Sequence, residues 1–378
     1  MGDGRNDRLQ SLRGLAALCV LAGHSALMLD TTASRMAGAV FQPNAAVILF
    51  FVLSGYVLTL SLERDGDLRR FAIRRAFRIL PVYWIGVLVG CLSYLIADHP
   101  SIEGATQWFN GTIVGSANAV QWANIWPNLV VWTTSMSGVL WSVQVEIFAA
   151  PLIPLMWHVS RRVPLAVDLV IIVGLAILMK RLRESLNTGE MSQLFFLAYL
   201  LCFYLGVSVQ KLLAIKSARS IVSSGRLMLI ILALFLYVHI RAWQFGLDFW
   251  GYLVLSAFVS AWIVAYVAAR ERKDFLAWRP LIWLGDVSYS FYAYGTPIMM
   301  GVGLATLLAL PASWRVTNMG SALIIAVTFG LSLAITLPLA ALSSRLVEKN
   351  GNAIGRRVAD LFSRPSEQQA VGLADAQT

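Results

Sequence analysis

Arg13 and His24 stand in the first apolar segment of the chain, SLRGLAALCVLAGHS, residues 11–25. Eleven residues at 100° each make three turns plus about 20°, so a helix projects both from one face, about 16 Å apart along its axis. A charged side chain at mid-membrane costs about 2.5–3.5 kcal/mol, and such residues normally face a bundle interior where they mark a site. The plainer reading stays open: Arg13 snorkels to the headgroups and His24 caps the far end of the helix.

Three further stretches carry chemistry-bearing types at helical spacing. In FFVLSGYVLT, residues 50–59, Ser54 and Gly55 let a ligand or a neighbouring helix approach the backbone. In RRFAIRRAFRILPVYW, residues 69–84, Arg70, Arg74 and Arg78 recur every fourth position, with Arg75 beside them and Phe71 and Phe77 nearby. Guanidinium forks suit phosphate oxygens and stack on planar bases, which fits a phosphorylated cofactor; a topology anchor that holds anionic lipid fits equally. In LWSVQVEIF, residues 140–148, Ser142 and Glu146 share one helix face. Counting residues along two oppositely directed spans places Glu146 and His24 in the same outer half of the bilayer. A histidine with a carboxylate is the constellation of general base catalysis, and a structural His–Glu pair between helices is its alternative.

Other chemistries lack their motifs. There is no GxxxxGK(S/T) loop, HExxH pair or GxSxG elbow. The chain has four histidines, with His99 and His158 expected in loops or at span ends and His239 at a span edge. A multi-histidine centre is therefore not expected, and no metal is. Cys19, Cys91 and Cys202 are scattered through apolar segments without CxxC spacing, which predicts neither a disulfide framework nor a zinc site.

The elements that must position these residues follow from composition. The chain has 378 residues, 58% hydrophobic and 13% charged, where soluble domains carry about a quarter charged. Apolar runs long enough to cross about 30 Å of hydrocarbon recur throughout. The expected fold is an all-α polytopic membrane bundle of about ten transmembrane helices, near 9–28, 45–62, 79–97, 139–158, 164–179, 192–210, 227–240, 250–268, 281–303 and 320–343. With a cytoplasmic N-terminus, all but six of the 30 Lys and Arg fall on cytoplasmic segments, the exceptions being Arg35, Lys180, Arg181, Arg183, Arg241 and Arg315. This positive-inside bias also places the C-terminus in the cytoplasm. The net charge of +10 is thus a matter of topology and lipid, and no nucleic-acid partner is expected, since that needs a contiguous basic face on a soluble domain. From Gly104 to Val145 the chain has no Asp, Glu, Lys, Arg or His until Glu146, but has Trp108, Trp122, Trp126 and Trp132 among Asn110, Asn118, Asn124 and Asn128. A half-helix could lie within it. The expected division is a membrane domain, 1–350, and a polar cytoplasmic tail, 351–378, without fixed structure.

Taken in order, these motifs resemble the acyltransferase 3 family of integral-membrane acyltransferases. The resemblance rests on Arg13 to His24; on Phe50-Phe51-Val52-Leu53-Ser54-Gly55-Tyr56; on Arg74-Arg75-Ala76-Phe77-Arg78-Ile79-Leu80-Pro81-Val82-Tyr83; and on Trp141-Ser142 with Glu146. LGDVSYSFYAYGTP, residues 284–297, is similar to that family's LGxxSYxxYxxHxP element, with Gly295 in the late histidine position. SRLVEKN, residues 344–350, is similar to its closing Glu-Lys-Pro stretch, with Asn350 in place of proline. The resemblance covers nearly the whole chain. It implies a bundle of ten or so helices in the bacterial plasma (inner) membrane that takes an acyl group, often acetyl, from cytoplasmic acyl-CoA. The group goes to a hydroxyl of a cell-surface or exported glycan, the acceptor partner being a glycan or a lipid-linked glycan. The family's essential His and Arg map onto His24 and Arg13.

The resemblance and the residues then combine into one expectation. CoA phosphates dock on Arg74, Arg75 and Arg78, the pantetheine arm runs past Arg13, and His24 is the general base with Glu146 in support. Ser54 and Ser142 are the candidates to stabilise an oxyanion. The rival readings are a proton-coupled transporter that uses Arg13, His24 and Glu146 as its path, and a non-catalytic partner in glycan export.

Overall fold

The structure is a computed structural model that describes residues 6–96, 101–186, 193–245, 249–270 and 274–362. His99 and the segment after Phe362 lie outside the described residues. Among the described residues seventeen α-helices follow one another: α1 Asp7–Ala26, α2 Thr32–Val40, α3 Pro43–Arg64, α4 Leu68–Ile96, α5 Gln107–Ala119, α6 Trp122–Leu129, α7 Trp141–Ala149, α8 Ile153–Arg162, α9 Leu165–Leu186, α10 Leu200–Ala214, α11 Lys216–Val222, α12 Gly225–Phe245, α13 Phe249–Ala269, α14 Arg279–Asp286, α15 Ser288–Ala309, α16 Asn318–Ser343 and α17 Lys349–Leu361. Among the described residues there is no strand, only an isolated antiparallel bridge between Leu29 and Ala105.

Among the described residues seven stretches are long and apolar enough to cross a membrane: Thr32–Arg64, Leu68–Ser93, Gly138–Arg162, Phe196–Ala214, Gly251–Ala269, Ser288–Ala309 and Asn318–Leu361. Lys216–Val222 with Gly225–Arg241, bent by 60°, makes an eighth if the pair is one span. The protein is an all-α, multi-pass membrane bundle. The count differs from the expected ten at α1 and α9, which are 20 and 22 residues long. Polar residues lower their apolarity: Gln10, Arg13 and His24 in α1, and Asp168, Lys180 and Arg181 in α9. The expected half-helix is a pair of short helices, α5 and α6.

Local signals set the helix that carries Arg13 and His24. The Asn6 side chain accepts from the backbone N–H of Arg8 and Leu9, capping α1, and Asp7 complements the positive end of its dipole. Arg8 ties this end down, donating to both Asp274 oxygens at 3.2 and 2.5 Å and to the Val267 and Arg270 carbonyls. α1 then packs on α3, α14 and α15. The crossing with α14 is glycine against glycine: a Cβ on Gly14 would lie 2.8 Å from the Gly285 nitrogen, and one on Gly285 would lie 2.1 Å from the Gln10 carbonyl.

α3 is held by α10 in the same manner. A Cβ on Gly55 would sit 2.2 Å from the Phe203 carbonyl, and one on Gly206 would sit 2.1 Å from the Val52 carbonyl. Backbones approach this closely only where side chains are missing. Gly55 is therefore a packing residue, while its neighbour Ser54 turns to a different face. Gly90 likewise admits Met136 and Ser137 of the same chain.

The boundary of the expected tail moves. Residues from 351 to Leu361 belong to α17, which packs along α4. Gly351, Gly355 and Ala359 are buried, and a Cβ on Gly351 would lie 2.6 Å from the Phe77 carbonyl. The polar composition that suggested a solvated tail covers one face only, and the small residues form the other.

Candidate active site

Glu146 stands near the middle of α7, and its Oε1 accepts two bonds. The Ser54 hydroxyl donates at 2.6 Å and Arg75 Nη2 donates at 2.8 Å. The Arg75 and Glu146 side chains are 11% and 24% exposed, so this is a largely desolvated, hydrogen-bonded ion pair. Ser54 lies near the middle of α3 and Arg75 seven residues into α4. The expected partnership of Glu146 with His24 is replaced by these contacts. Residue counting treated 139–158 as a straight span, whereas a 3₁₀ turn opens it, another interrupts it at Ala150–Leu152, and the long Arg75 side chain reaches across.

His24 sits in the last turn of α1 in different company. Its Nδ1 is 3.1 Å from the Thr296 hydroxyl of α15. Its ring stacks on Trp108 of α5, with centroids 5.3 Å apart and planes 7° from parallel. One ring nitrogen is thus fixed by Thr296 and one face is covered. A Cβ on the neighbouring Gly295 would meet Leu21 and Thr336 at 3.6 and 3.7 Å, ordinary contact distances.

The arginine cluster divides. Arg74 donates to Asp65 at 2.8 Å and lies 3.8 Å from Asp360. Arg70 donates to Asp360 at 2.6 Å. Both therefore serve the seam between α4 and α17. Arg75 turns inward to Glu146, and Arg78 reaches the interior cavities. The expected set of three is one structural residue and two that line cavities, because residues 74, 75 and 78 of a helix spread over about 100° around its axis and more than one neighbour packs there.

The interior cavities form a series that shares side chains. A polar cavity of about 480 Å³ is lined by Arg13, Arg78, Trp283, Asp286, Tyr289, Arg345, Glu348, Lys349 and Asn352. Arg13, Arg78 and Tyr289 also line a small cavity of about 40 Å³ with Ser54, Arg75 and Glu146. Arg13, Ser54, Glu146 and Tyr289 line a third, of about 30 Å³, which continues to Phe50, Ser142 and Tyr292. Arg13 is common to all three. Arg13 and Arg78 make no side-chain hydrogen bond or ion pair with a described residue. With Arg345 and Lys349 they give the large cavity four cations for an anionic ligand, and Trp283, 43% exposed, offers a ring face.

The hydroxyls along the series differ in availability. Ser54 spends its proton on Glu146. Ser142 lies 2.6 Å from the Tyr292 hydroxyl, which donates to the Val139 carbonyl at 3.1 Å. Tyr289 donates to the Ile79 carbonyl at 2.9 Å. Glu348, in a π-helical turn, accepts from Ser290 at 2.5 Å; Ser290 also reaches Ser343, which is 2.7 Å from the Tyr294 hydroxyl. π turns recur at functional sites.

Tyr289, Tyr292, Thr296, Trp283, Arg345, Glu348 and Lys349 were not singled out as site residues. The signal for the tyrosines was present: Ser288 and Tyr292 lie at i and i+4 on α15, and Tyr289 lies three positions before Tyr292. The other histidines lie elsewhere. His158 is exposed beside Arg162, and His239 is buried between Phe235 and Tyr252. Among the described residues no three His, Cys, Asp or Glu side chains gather into a metal-binding group.

Comparison with known proteins agrees with this architecture. The family model described as an acyltransferase domain matches residues 6–341. Nodulation protein 10 of Rhizobium leguminosarum bv. viciae is 29% identical over 136 residues, a stretch that takes in 34% of this chain and 37% of that relative. No solved structure matches. With a family match that runs from the cap of α1 to the end of α16 and takes in every residue of the cavity series up to Ala341, the chain belongs to the acyltransferase 3 family of membrane acyltransferases.

Proposed function

We propose that the protein is an O-acyltransferase that moves an acyl group, acetyl in the simplest case, from cytoplasmic acyl-CoA to a hydroxyl of a cell-surface or exported glycan. The observation that carries this reading is the cavity series through Arg13. It starts in a basic, polar chamber beside α17 and narrows to the Ser142–Tyr292 pair. The proposal includes cytoplasmic termini and residence in a bacterial inner membrane, by the bias of basic residues.

In this reading the large cavity takes the CoA nucleotide. Arg13, Arg78, Arg345 and Lys349 face its phosphates, and Trp283 faces the base. This moves the donor site from the expected Arg74, Arg75 and Arg78 to a set that shares only Arg78 with it. The pantetheine arm follows the series past Arg13, and its length is comparable to the separation of Arg13 and His24. Glu146 and Arg75 hold the shape of the passage, since their charges satisfy each other.

His24 is the base. In the tautomer this role requires, Nδ1–H donates to the Thr296 hydroxyl oxygen, which leaves the unprotonated Nε2 to take the proton of an acceptor hydroxyl. That oxygen attacks the thioester carbonyl, the C–S bond breaks, and the thiolate leaves with the proton that His24 received. Ser142, whose partner is Tyr292, is the hydroxyl able to turn toward the tetrahedral oxyanion. Trp122 and Trp126, 90% and 71% exposed, offer ring faces to a sugar.

The test gives inverted membrane vesicles radiolabelled acetyl-CoA and follows the label. Label in an alkali-labile ester of a glycan fraction, lost in His24→Ala, supports the reading. Label that accumulates free in the lumen supports transport instead and overturns it.

A further inference from the structure

A further cavity lies outside the series. It is a groove of about 770 Å³ between the first half of α4 and the α7–α8 break, where Pro151 and Pro154 interrupt the helix. Its size is that of a small-molecule site, roughly 300–1,000 Å³. Ala72, Ile79, Pro151 and Leu155 make its walls apolar, and Ala72 and Leu155 are exposed, so it opens sideways to the bilayer. Arg75 and Ile79 line both this groove and the small cavity at Glu146. One layer of side chains therefore separates them.

The mouth of the groove is basic. Trp157 and His158 line it. The Arg161 guanidinium lies over the Trp157 ring, 4.8 Å from its centroid, and Arg162 bonds His158. Arg161 and Arg162 are exposed. An apolar slot open to lipid, with cations at the end where α8 leaves the membrane, matches a molecule with a hydrocarbon chain and an anionic head.

We infer that this groove is a binding site for an anionic glycerophospholipid of the bilayer. One chain lies between α4 and the α7–α8 break against the stem of Arg75, and the phosphate meets Arg161, Arg162 and His158. The inference does not depend on acyl transfer, because it concerns a lipid that is bound and not consumed.

The experiment places the full-length protein in nanodiscs that contain a trace of phosphatidylglycerol or phosphatidylcholine with a photoactivatable diazirine at the end of one chain. Crosslinked peptides are then mapped by mass spectrometry. The expected result is preferential labelling by phosphatidylglycerol, concentrated in residues 71–80 and 147–158. Ala72→Trp, which fills the groove from a position that already faces lipid, should abolish that concentration. Arg161→Gln, which leaves Arg162 and His158 to hold orientation, should cut the preference for phosphatidylglycerol about fivefold, the share of one basic side chain near a headgroup. Equal labelling by the two lipids in the unaltered protein overturns the inference. So does label spread evenly over α9 and α12, or a pattern that Ala72→Trp leaves unchanged in a protein that elutes as the unaltered one does.

Discussion

Removing Glu146 and removing Arg75 should not cost the same, although they are partners in one ion pair. At an effective dielectric of about 20, two charges about 4 Å apart attract by about 4 kcal/mol. In Arg75→Gln the carboxylate keeps the Ser54 hydroxyl and still shares its cavity with Arg13 and Arg78. The loss is one charge-assisted hydrogen bond, about 1.5–3 kcal/mol. In Glu146→Gln three arginines face a space of about 40 Å³ from which the lining carboxylate is gone. That is the case of a broken buried pair, about 3–5 kcal/mol. Adding Arg75→Gln to Glu146→Gln removes one of the stranded cations, so the double variant should be no less stable than Glu146→Gln alone. The coupling energy in the cycle is then at least the cost of Arg75→Gln alone, about 1.5–3 kcal/mol. Reversible unfolding of the purified variants in mixed dodecylmaltoside and dodecyl sulfate micelles measures all three. Equal costs for the two single changes, or simple additivity, would show that Arg13 and Arg78 do not feel Glu146 and that the cavity is not a shared electrostatic unit.

His24→Ala should lower acyl transfer about 100- to 10,000-fold with normal yield of folded protein, read by labelled transfer in vesicles. Thr296→Val should lower kcat with little change in the KM for donor, and Thr296→Ser should restore it, because only the hydroxyl touches Nδ1. Arg78→Gln should raise the apparent KM for acyl-CoA about tenfold or more, whereas Arg74→Gln should leave it nearly unchanged, since Arg74 is committed to Asp65; titration of acyl-CoA separates them. Gly206→Ala should destabilise the α3–α10 contact by about 1–3 kcal/mol, because its Cβ would lie 2.1 Å from the Val52 carbonyl; the yield of monodisperse protein on size exclusion reports it.

The membrane-spanning character and the polar residues of the interior were legible in the sequence for one reason. In hydrocarbon a charge is costly enough that Arg13 and Glu146 stand out against their neighbours. What the sequence could not show was pairing. Glu146 had His24 as its expected partner because depth was counted along straight helices, and the 3₁₀ turns around α7 undid that count. Arg74, Arg75 and Arg78 looked alike as residue types, and only the directions of α17 and α7 around α4 sorted them. Tyr289 and Tyr292 were hidden by being aromatic in an apolar helix, where the hydroxyl leaves no trace in hydropathy. Thr296 and Trp108 were hidden by distance, since Thr296 meets His24 across 272 positions.

The seam between α4 and α17 also has a history within the life of one molecule. Arg70 and its partner Asp360 are 290 positions apart. At about 5–20 residues per second, the interval between their syntheses is roughly 15–60 s. During that time α4 threads into the membrane with Arg70 not yet joined to Asp360 and with Asp65 as the acidic neighbour of Arg70 and Arg74, and basic residues at the end of a span bias which way it inserts. The bond from Arg70 to Asp360 forms only once α17 has left the ribosome. Arg70 thus acts twice, first as one of the basic charges that bias insertion and later as the latch that holds α17.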